Sequence, residues 1–296
     1  MTQNYLVRAT ALDGRVRAFA LHATGVVSEM RARHATSDVM TAALGRTAMG
    51  ALLIAAASLK EEDQVLTVEV RGNGPAGRIL CTANGRGEVR GMAANPAADA
   101  PDLRPGKMHV AGVVGTEGYL SVTKDLGMKE SYSGTVELLS GEIGEDLAYY
   151  LTKSEQTPSG VGVGVHVARD GAVVAAGGYL VQLLPGLGDD EITAIEERMA
   201  ALPSPTELIR AGSGPEDILQ RIFGDAWELG DRTAVAFRCP CSRERFEAAI
   251  VSLGEAEIER IIAEEEHDRT EVVCHFCNEH YYFTADEMGG ILRAAR

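Results

Sequence analysis

The sequence predicts an α+β fold in three parts: an antiparallel-sheet N-terminal domain with packed helices over residues 1–185, a helical linker over 186–230, and a small C-terminal domain over 231–296 organised by cysteines. Three observations predict it. Apolar residues alternate with period two in runs joined by short turns, the pattern of antiparallel strands with helices packed on them. After Leu184, prolines and glycines cut the chain into short helical pieces. Four of the 5 cysteines fall in two close pairs near the end.

In the first part, Thr36, Ser37 and Asp38 can cap a helix that runs through Met40, Leu44 and Met49 to Leu59, where Lys60 and Glu61 end it. Residues 65–70 alternate as a strand, and 78–82 and 88–92 give two more around a turn at Asn84 and Gly85. Strands are also predicted over 119–123 and 133–139, and a helix over 144–152. Residues 162–168 and 172–184 read as a hairpin turning at Arg169, Asp170 and Gly171. In the linker, Asp189 and Asp190 favour a helix start, as do Ser213, Gly214 and Pro215. Ile192, Ile195, Met199, Leu208, Ile218, Ile222 and Trp227 are spaced helically, but each piece is short, so these helices depend on docking and read as a metastable linker. The last part reads as helices over 245–253 and 255–265, a strand, cysteine turn and strand over 271–283, and a final helix whose capping box is Thr284 with Glu287.

The formal net charge of -15 disfavours a nucleic-acid partner and an anionic membrane surface, and no Lys/Arg run offsets it. The first ten residues hold Arg8 and no long apolar stretch, so no secretory signal is expected. The most apolar segment, 48–59, is too short to span a bilayer and reads as a buried helix. These features predict a cytoplasmic protein, in a compartment where paired cysteines serve metal or redox chemistry before structural disulfides.

The pairs are Cys239 and Cys241 around Pro240, then 32 intervening residues, then Cys274 and Cys277 around His275 and Phe276. Four thiolates brought together by folding suit a tetrahedral ion; zinc is the expected tenant, with an iron–sulfur cluster the alternative. His267, His275 and His280 are substitute ligands nearby. A permanent structural zinc is the plainest use of such a site. The single-residue spacing of Cys239 and Cys241 points instead to a switch: neighbouring thiolates that lose their metal are placed to oxidise together into a strained ring, and strained disulfides are the labile, regulatory kind. A domain this small owes much of its folding free energy to the metal, about 10 kcal/mol or more in apparent terms, so metal loss should unfold it. That would expose Phe237, Phe246, Ile250, Ile258, Ile261, Phe276 and Tyr281 beside acidic residues, a sticky yet soluble platform for unfolded proteins.

Other signals carry less. Gly72, Gly74 and Gly77 match a dinucleotide fingerprint, but Pro75 intervenes and a strand follows where a helix is required. Cys81 reads as a small buried hydrophobe, and His166 as a structural residue. Glu264, Glu265 and Glu266 read as a solvated helix end. Two rival functions follow from the cysteines alone. A zinc-ribbon nucleic-acid-binding factor would need a basic face that the acidic terminal part lacks. A thiol-disulfide oxidoreductase would turn over at Cys239 and Cys241.

Beyond the cysteines, Arg46 with Thr47, the run Val70 to Pro75, Tyr149 and Tyr150 with Glu155, and Gly177 to Gln182 before Pro185 carry a resemblance. The chain, over essentially its whole length, resembles the redox-regulated heat shock proteins of thirty-three kilodaltons, a family of bacterial holdase chaperones. The resemblance implies a non-enzymatic protein holding one zinc ion on Cys239, Cys241, Cys274 and Cys277 when reduced. It implies disulfides Cys239–Cys241 and Cys274–Cys277 on oxidation, with unfolding of the terminal domain and linker. It further implies a homodimer when oxidised, binding of unfolding client proteins without ATP, and hand-over to ATP-dependent chaperones. Cys81 has no counterpart in the family's motif.

Overall fold

The computed structural model describes residues 3–104, 107–264 and 269–295. It divides into two compact units, Met1–Arg238 and Cys239–Arg296.

The first unit opens with β1 (Tyr5–Ala11) and β2 (Val16–His22), followed by α1 (Thr24–His34) and α2 (Asp38–Ser58). A meander follows: β3 (Val65–Gly72), β4 (Arg78–Asn84), β5 (Glu88–Ala93), the short α3 (Val110–Val114), β6 (Gly118–Asp125) and β7 (Tyr132–Glu137). Then come α4 (Gly144–Lys153), β8 (Ser159–Val167) and β9 (Val173–Leu183). Three helices occupy the predicted linker, α5 (Asp189–Ala200), α6 (Pro205–Arg210) and α7 (Pro215–Phe223), before β10 (Trp227–Ala234) and β11 (Ala236–Phe237).

These strands make two sheets, ordered β10-β1-β2-β9-β8 and β11-β5-β4-β3-β6-β7. Every pairing is antiparallel except the short parallel β11–β5. Between the sheets lies α2, which packs on β2, β8 and β9 of one and on β3, β4 and β5 of the other. Its start is the predicted one: the Ser37 hydroxyl accepts from the Met40 N–H at 3.1 Å. At 21 residues α2 is long and apolar enough to cross a membrane, more than the predicted 48–59 segment suggests, yet 89% of the window lies buried inside the fold. It is a core helix with apolar neighbours all round.

The middle of the five-stranded sheet is buried on both faces. Leu6, Phe19 and Leu21 face α2 in the main core, whereas Val7, Ala9, Ala11, Val16, Ala18 and Ala20 face the other way. On that outer face sit Ile195, Leu208, Ile218, Leu219, Ile222 and Phe223 of α5, α6 and α7. The helices approach closely because β8 presents glycine there. A Cβ on Gly160 would collide with Met199, and one on Gly164 would crowd Thr206.

Each of these three helices starts in the same way. Glu191, Glu207 and Asp217 each accept the backbone N–H three residues upstream, at 2.9, 2.9 and 2.7 Å. This is the acidic half of a capping box, and it settles orphan donors that a short helix could ill leave open.

Two sequence expectations are corrected here. Trp227 is in a strand, not a helix; β10 is almost wholly exposed, so its sequence carries no alternation, and it forms by adding to the edge of β1. Residues 231–238, grouped in the sequence with the terminal part, run as strands on both sheets of the first unit. The fingerprint glycines form a turn without a helix: Gly74 N–H reaches the Val114 carbonyl at 2.9 Å, and a Cβ there would strike the backbone of α3.

The second unit contains α8 (Arg243–Val251), α9 (Glu255–Glu264), the hairpin of β12 (Arg269–Val273) and β13 (His280–Thr284), and α10 (Ala285–Ala295). The predicted capping box is present, with Thr284 N–H to Glu287 Oε2 at 2.8 Å and Glu287 N–H to Thr284 Oγ1 at 3.3 Å. Among the described residues its apolar core is small: Ile250, Ile258, Phe283, Met288 and Ile291 are its buried hydrophobic members. Of the acidic helix end, Glu265 and Glu266 lie outside the described residues, as does His267.

Candidate metal centre

The hairpin places the second cysteine pair. Cys274 leaves β12 directly, and its carbonyl accepts the N–H groups of Cys277 at 3.3 Å and Asn278 at 2.7 Å, while its own N–H returns to the Glu279 carbonyl. Asn278 takes the positive φ of 58° that this tight turn requires. The turn aims backbone donors at sulfur: Phe276 and Cys277 toward Cys274, and Glu279 toward Cys277. The first pair lies on the extended segment between Arg238 and α8, stiffened by Pro240. Ser242 then caps α8, its hydroxyl accepting from Arg245 N–H at 3.3 Å.

Folding brings all four sulfurs within 4.8 Å of one another. Cys239 Sγ is 3.7 Å from Cys274 Sγ, and Cys241 Sγ is 3.3 Å from Cys277 Sγ. A tetrahedral ion with metal–sulfur bonds of about 2.3 Å sets its ligands about 3.8 Å apart, so the arrangement fits zinc. The electrostatics agree. Burial pushes the thiols of Cys274 and Cys277 up, so four thiolates in this position need a cation to compensate them. Among the described residues no other His, Cys, Asp and Glu group gathers in this way. Of the substitute ligands, His280 turns to Glu271 at 2.7 Å and His275 is exposed.

One neighbour escaped the sequence reading. Tyr281 donates its hydroxyl to Cys241 Sγ at 3.3 Å, with its ring against Phe246 at 4.9 Å between centroids. The signal was present: a residue four past Cys277 in a hairpin lies beside the knuckle, yet an aromatic there reads first as core. Cys81 is fully buried in β4, its thiol directed at the Leu44 carbonyl at 3.8 Å and pushed up by burial. It behaves as a small hydrophobe.

Comparison with known proteins decides the family. The Hsp33 protein family profile matches residues 4–284. The chain belongs to the Hsp33 family. The 33 kDa chaperonin of Bacillus subtilis is 48% identical over 97% of this chain and 98% of its own length. The 33 kDa chaperonin of Shouchella clausii is 49% identical over 99% and 98%. Among solved structures, the 33 kDa chaperonin of Thermotoga maritima superposes with a TM-score of 0.90 at 37% identity, covering 99% of this chain and 98% of that one. The Hsp33 fold thus extends over both units.

Proposed function

We propose that this Hsp33-family protein is a redox-regulated, ATP-independent holdase of the cytoplasm, switched on when its cysteine centre is oxidised. The role is non-enzymatic, as befits a family whose named relatives are chaperonins. The observation that carries the reading is the convergence of four sulfurs from two distant segments in a unit with so small an apolar core.

Cys239, Cys241, Cys274 and Cys277 would hold the ion. Bound zinc would keep the sulfurs as thiolates and cross-link two segments otherwise joined by 32 residues. Peroxide oxidises a cysteine pair in two steps. One thiolate attacks the O–O bond, forming a sulfenic acid and releasing hydroxide. Its partner thiolate then displaces the sulfenic oxygen, which leaves as hydroxide and is protonated to water, and the S–S bond forms.

The folded geometry does not choose among pairings, since sulfur contacts run between the two pairs, at 3.7 and 3.3 Å, as well as within the second. The pairs taken here, Cys239–Cys241 and Cys274–Cys277, are those the family resemblance implies; each joins neighbours with one or two residues between them, whereas the two pairs are 32 residues apart.

Cys239 follows Phe237 of β11 by two residues, so disorder after Arg238 starts at the end of a two-residue strand. We place the response in α5–α7, short helices held by docking on one sheet face. Their release would uncover Val7, Val16, Tyr179 and Val181 for unfolding clients. Dimerisation on oxidation and transfer of clients to ATP-dependent chaperones belong to the same proposal.

Zinc-loaded reduced protein, treated with peroxide at mildly raised temperature, should release one equivalent of zinc and begin to suppress aggregation of a thermally unfolding client. Equal suppression before and after zinc loss would overturn the reading.

A further inference from the structure

An open cavity of about 640 Å³ lies between the linker helix α6 and the core of the first unit. Its walls carry Arg46, Arg104, Lys107 and Arg210, a concentration of positive charge in a chain whose formal net charge is -15. The one carboxylate in its lining, Glu207, is already committed to Ser204, at 2.9 Å from its N–H and 3.0 Å from its hydroxyl. Arg104 and Lys107 are drawn together by a backbone bridge, with Lys107 N–H on the Arg104 carbonyl at 2.8 Å. Neither Arg104 nor Lys107 makes an ion pair with the described residues, and Arg210 lies near enough to Glu207 to lower its pKa without bridging to it.

Arg46 is held differently. It reaches the cavity from the buried α2, and its Nη1 is fixed by the Glu142 carboxylate at 2.8 Å and carbonyl at 3.1 Å, while its buried Nε has no partner. The loop that presents Glu142 is costly to build. The next residue, Ile143, is a buried β-branched side chain at φ 71°, and the fully buried Asp146 accepts the backbone N–H groups of Leu139, Ser140, Gly141 and Ile143. Arg46 thus ties the Glu142 loop to α2 and still leaves its Nε unpaired; the redox switch described above does not use it. Ser204 and Thr206 add hydroxyls from the linker side.

The geometry points to a binding site for a small polyanion of the phosphate or phosphate-ester class, gripped by core cations on one side and by α6 on the other. Such a ligand binds only while α6 is docked. By linkage it stabilises the docked linker in proportion to its occupancy. The anion would therefore raise the oxidant dose needed to open the switch. This last consequence rests on the proposed switch; the binding itself does not.

The test uses full-length, reduced, zinc-loaded protein with inorganic triphosphate, ATP and inorganic phosphate as separate probes, sodium chloride keeping ionic strength constant. Calorimetric titration should show saturable binding, tightest for the probe with most charge. Arg210→Gln and Lys107→Gln should each weaken it about threefold to fivefold, the weight of one charge contact near a surface, whereas Lys153→Gln should not. Preference for ATP over triphosphate would assign a nucleotide, and the reverse a bare polyphosphate. Binding that does not saturate, or that the Arg210 and Lys107 variants leave unchanged, overturns the site. In a second arm, Trp227 fluorescence follows linker opening by peroxide with and without triphosphate. If the linker opens without ligand and triphosphate binds but does not slow it, the regulatory half is wrong. If it never opens on oxidation, the switch reading fails while the binding result stands.

Discussion

Tyr281 is where a single atom can be asked what it does at the cysteine centre. Its hydroxyl donates to Cys241 Sγ, drawing electron density from the sulfur and lowering its nucleophilicity toward oxidants. Tyr281→Phe removes that donor and keeps the ring against Phe246. Zinc release under peroxide, followed with a chromogenic chelator, should then be about threefold faster or more, with the zinc-bound circular dichroism unchanged; an unchanged rate would deny the hydroxyl any part in setting reactivity. Asp146 tests the opposite kind of residue, a buried carboxylate satisfied wholly by backbone. Asp146→Leu leaves those donors unpaired and should cost about 3 kcal/mol or more, read from the urea midpoint of the first unit. At this scale the sequence was legible where chemistry is carried by rare residues in tight spacing, as with the four cysteines. It was illegible for Asp146 and Tyr281, whose roles exist only through the loop and hairpin that surround them.

The three helices between β9 and β10 illustrate how much of an element lies outside its own residues. The starts of α5 and α7 were readable from Asp189 and Asp190 and from Ser213, Gly214 and Pro215; that of α6 was not, although Glu207 caps it as Glu191 and Asp217 cap the others. That they dock was expected from their shortness; the face they dock on was not, because it depends on Ala9, Ala11, Ala18, Ala20 and the β8 glycines being small on one side of a sheet. For the same reason β1 and β2 give no strand signal: both faces of β2 are buried, so the alternation that betrays a strand is missing. Gly164→Val would push against Thr206 and should cost docking about 1–3 kcal/mol by overpacking. Limited proteolysis within residues 201–214 of the reduced protein should quicken accordingly. Docking should also weaken in acid. Hydrogen bonds from Arg15 and from the Gly188 N–H hold Glu191 below its ordinary 4.5, and those from Ser204 do the same for Glu207. That stabilisation is present above 4.5 and is lost as pH falls through the lowered values. Burial lowers His22, which lines the cavity beside Ile209 and Gly214, below 6.5. Its neutral form is favoured in the fold, so its contribution also declines below 6.5 and is lost through the lowered value. Trp227 bonds Gln220 of α7 at 2.8 Å, and its emission should shift on acidification. A flat signal from pH 7 to 3 would show that neither group supports docking.

Across the whole molecule, the two units differ in what holds them. The first has two extensive apolar cores, one around α2 between the sheets and one between the five-stranded sheet and the linker helices, so its stability does not wait on a ligand. The second, among its described residues, closes around Ile250, Ile258, Phe283, Met288 and Ile291 and a cluster of sulfurs, of which burial pushes up the thiols of Cys274 and Cys277. The architecture of the first unit was foreseen from its meander, and the gathering of four sulfurs in the second from its cysteines; the division between them, after Arg238, was not, because β10 and β11 are strands by virtue of the edges they join. This asymmetry makes a prediction about metal removal that involves no oxidant. Stripping zinc with a strong chelator under reducing conditions should leave the amides of β3, β4 and α2 protected from hydrogen exchange and expose those of β12, β13 and α10. Returning zinc should restore protection. If the terminal amides stay protected without metal, the small apolar core suffices on its own, and oxidation would then have to act through disulfide strain instead of through loss of the ion. If protection in β3 and α2 falls as well, the units share one cooperative transition.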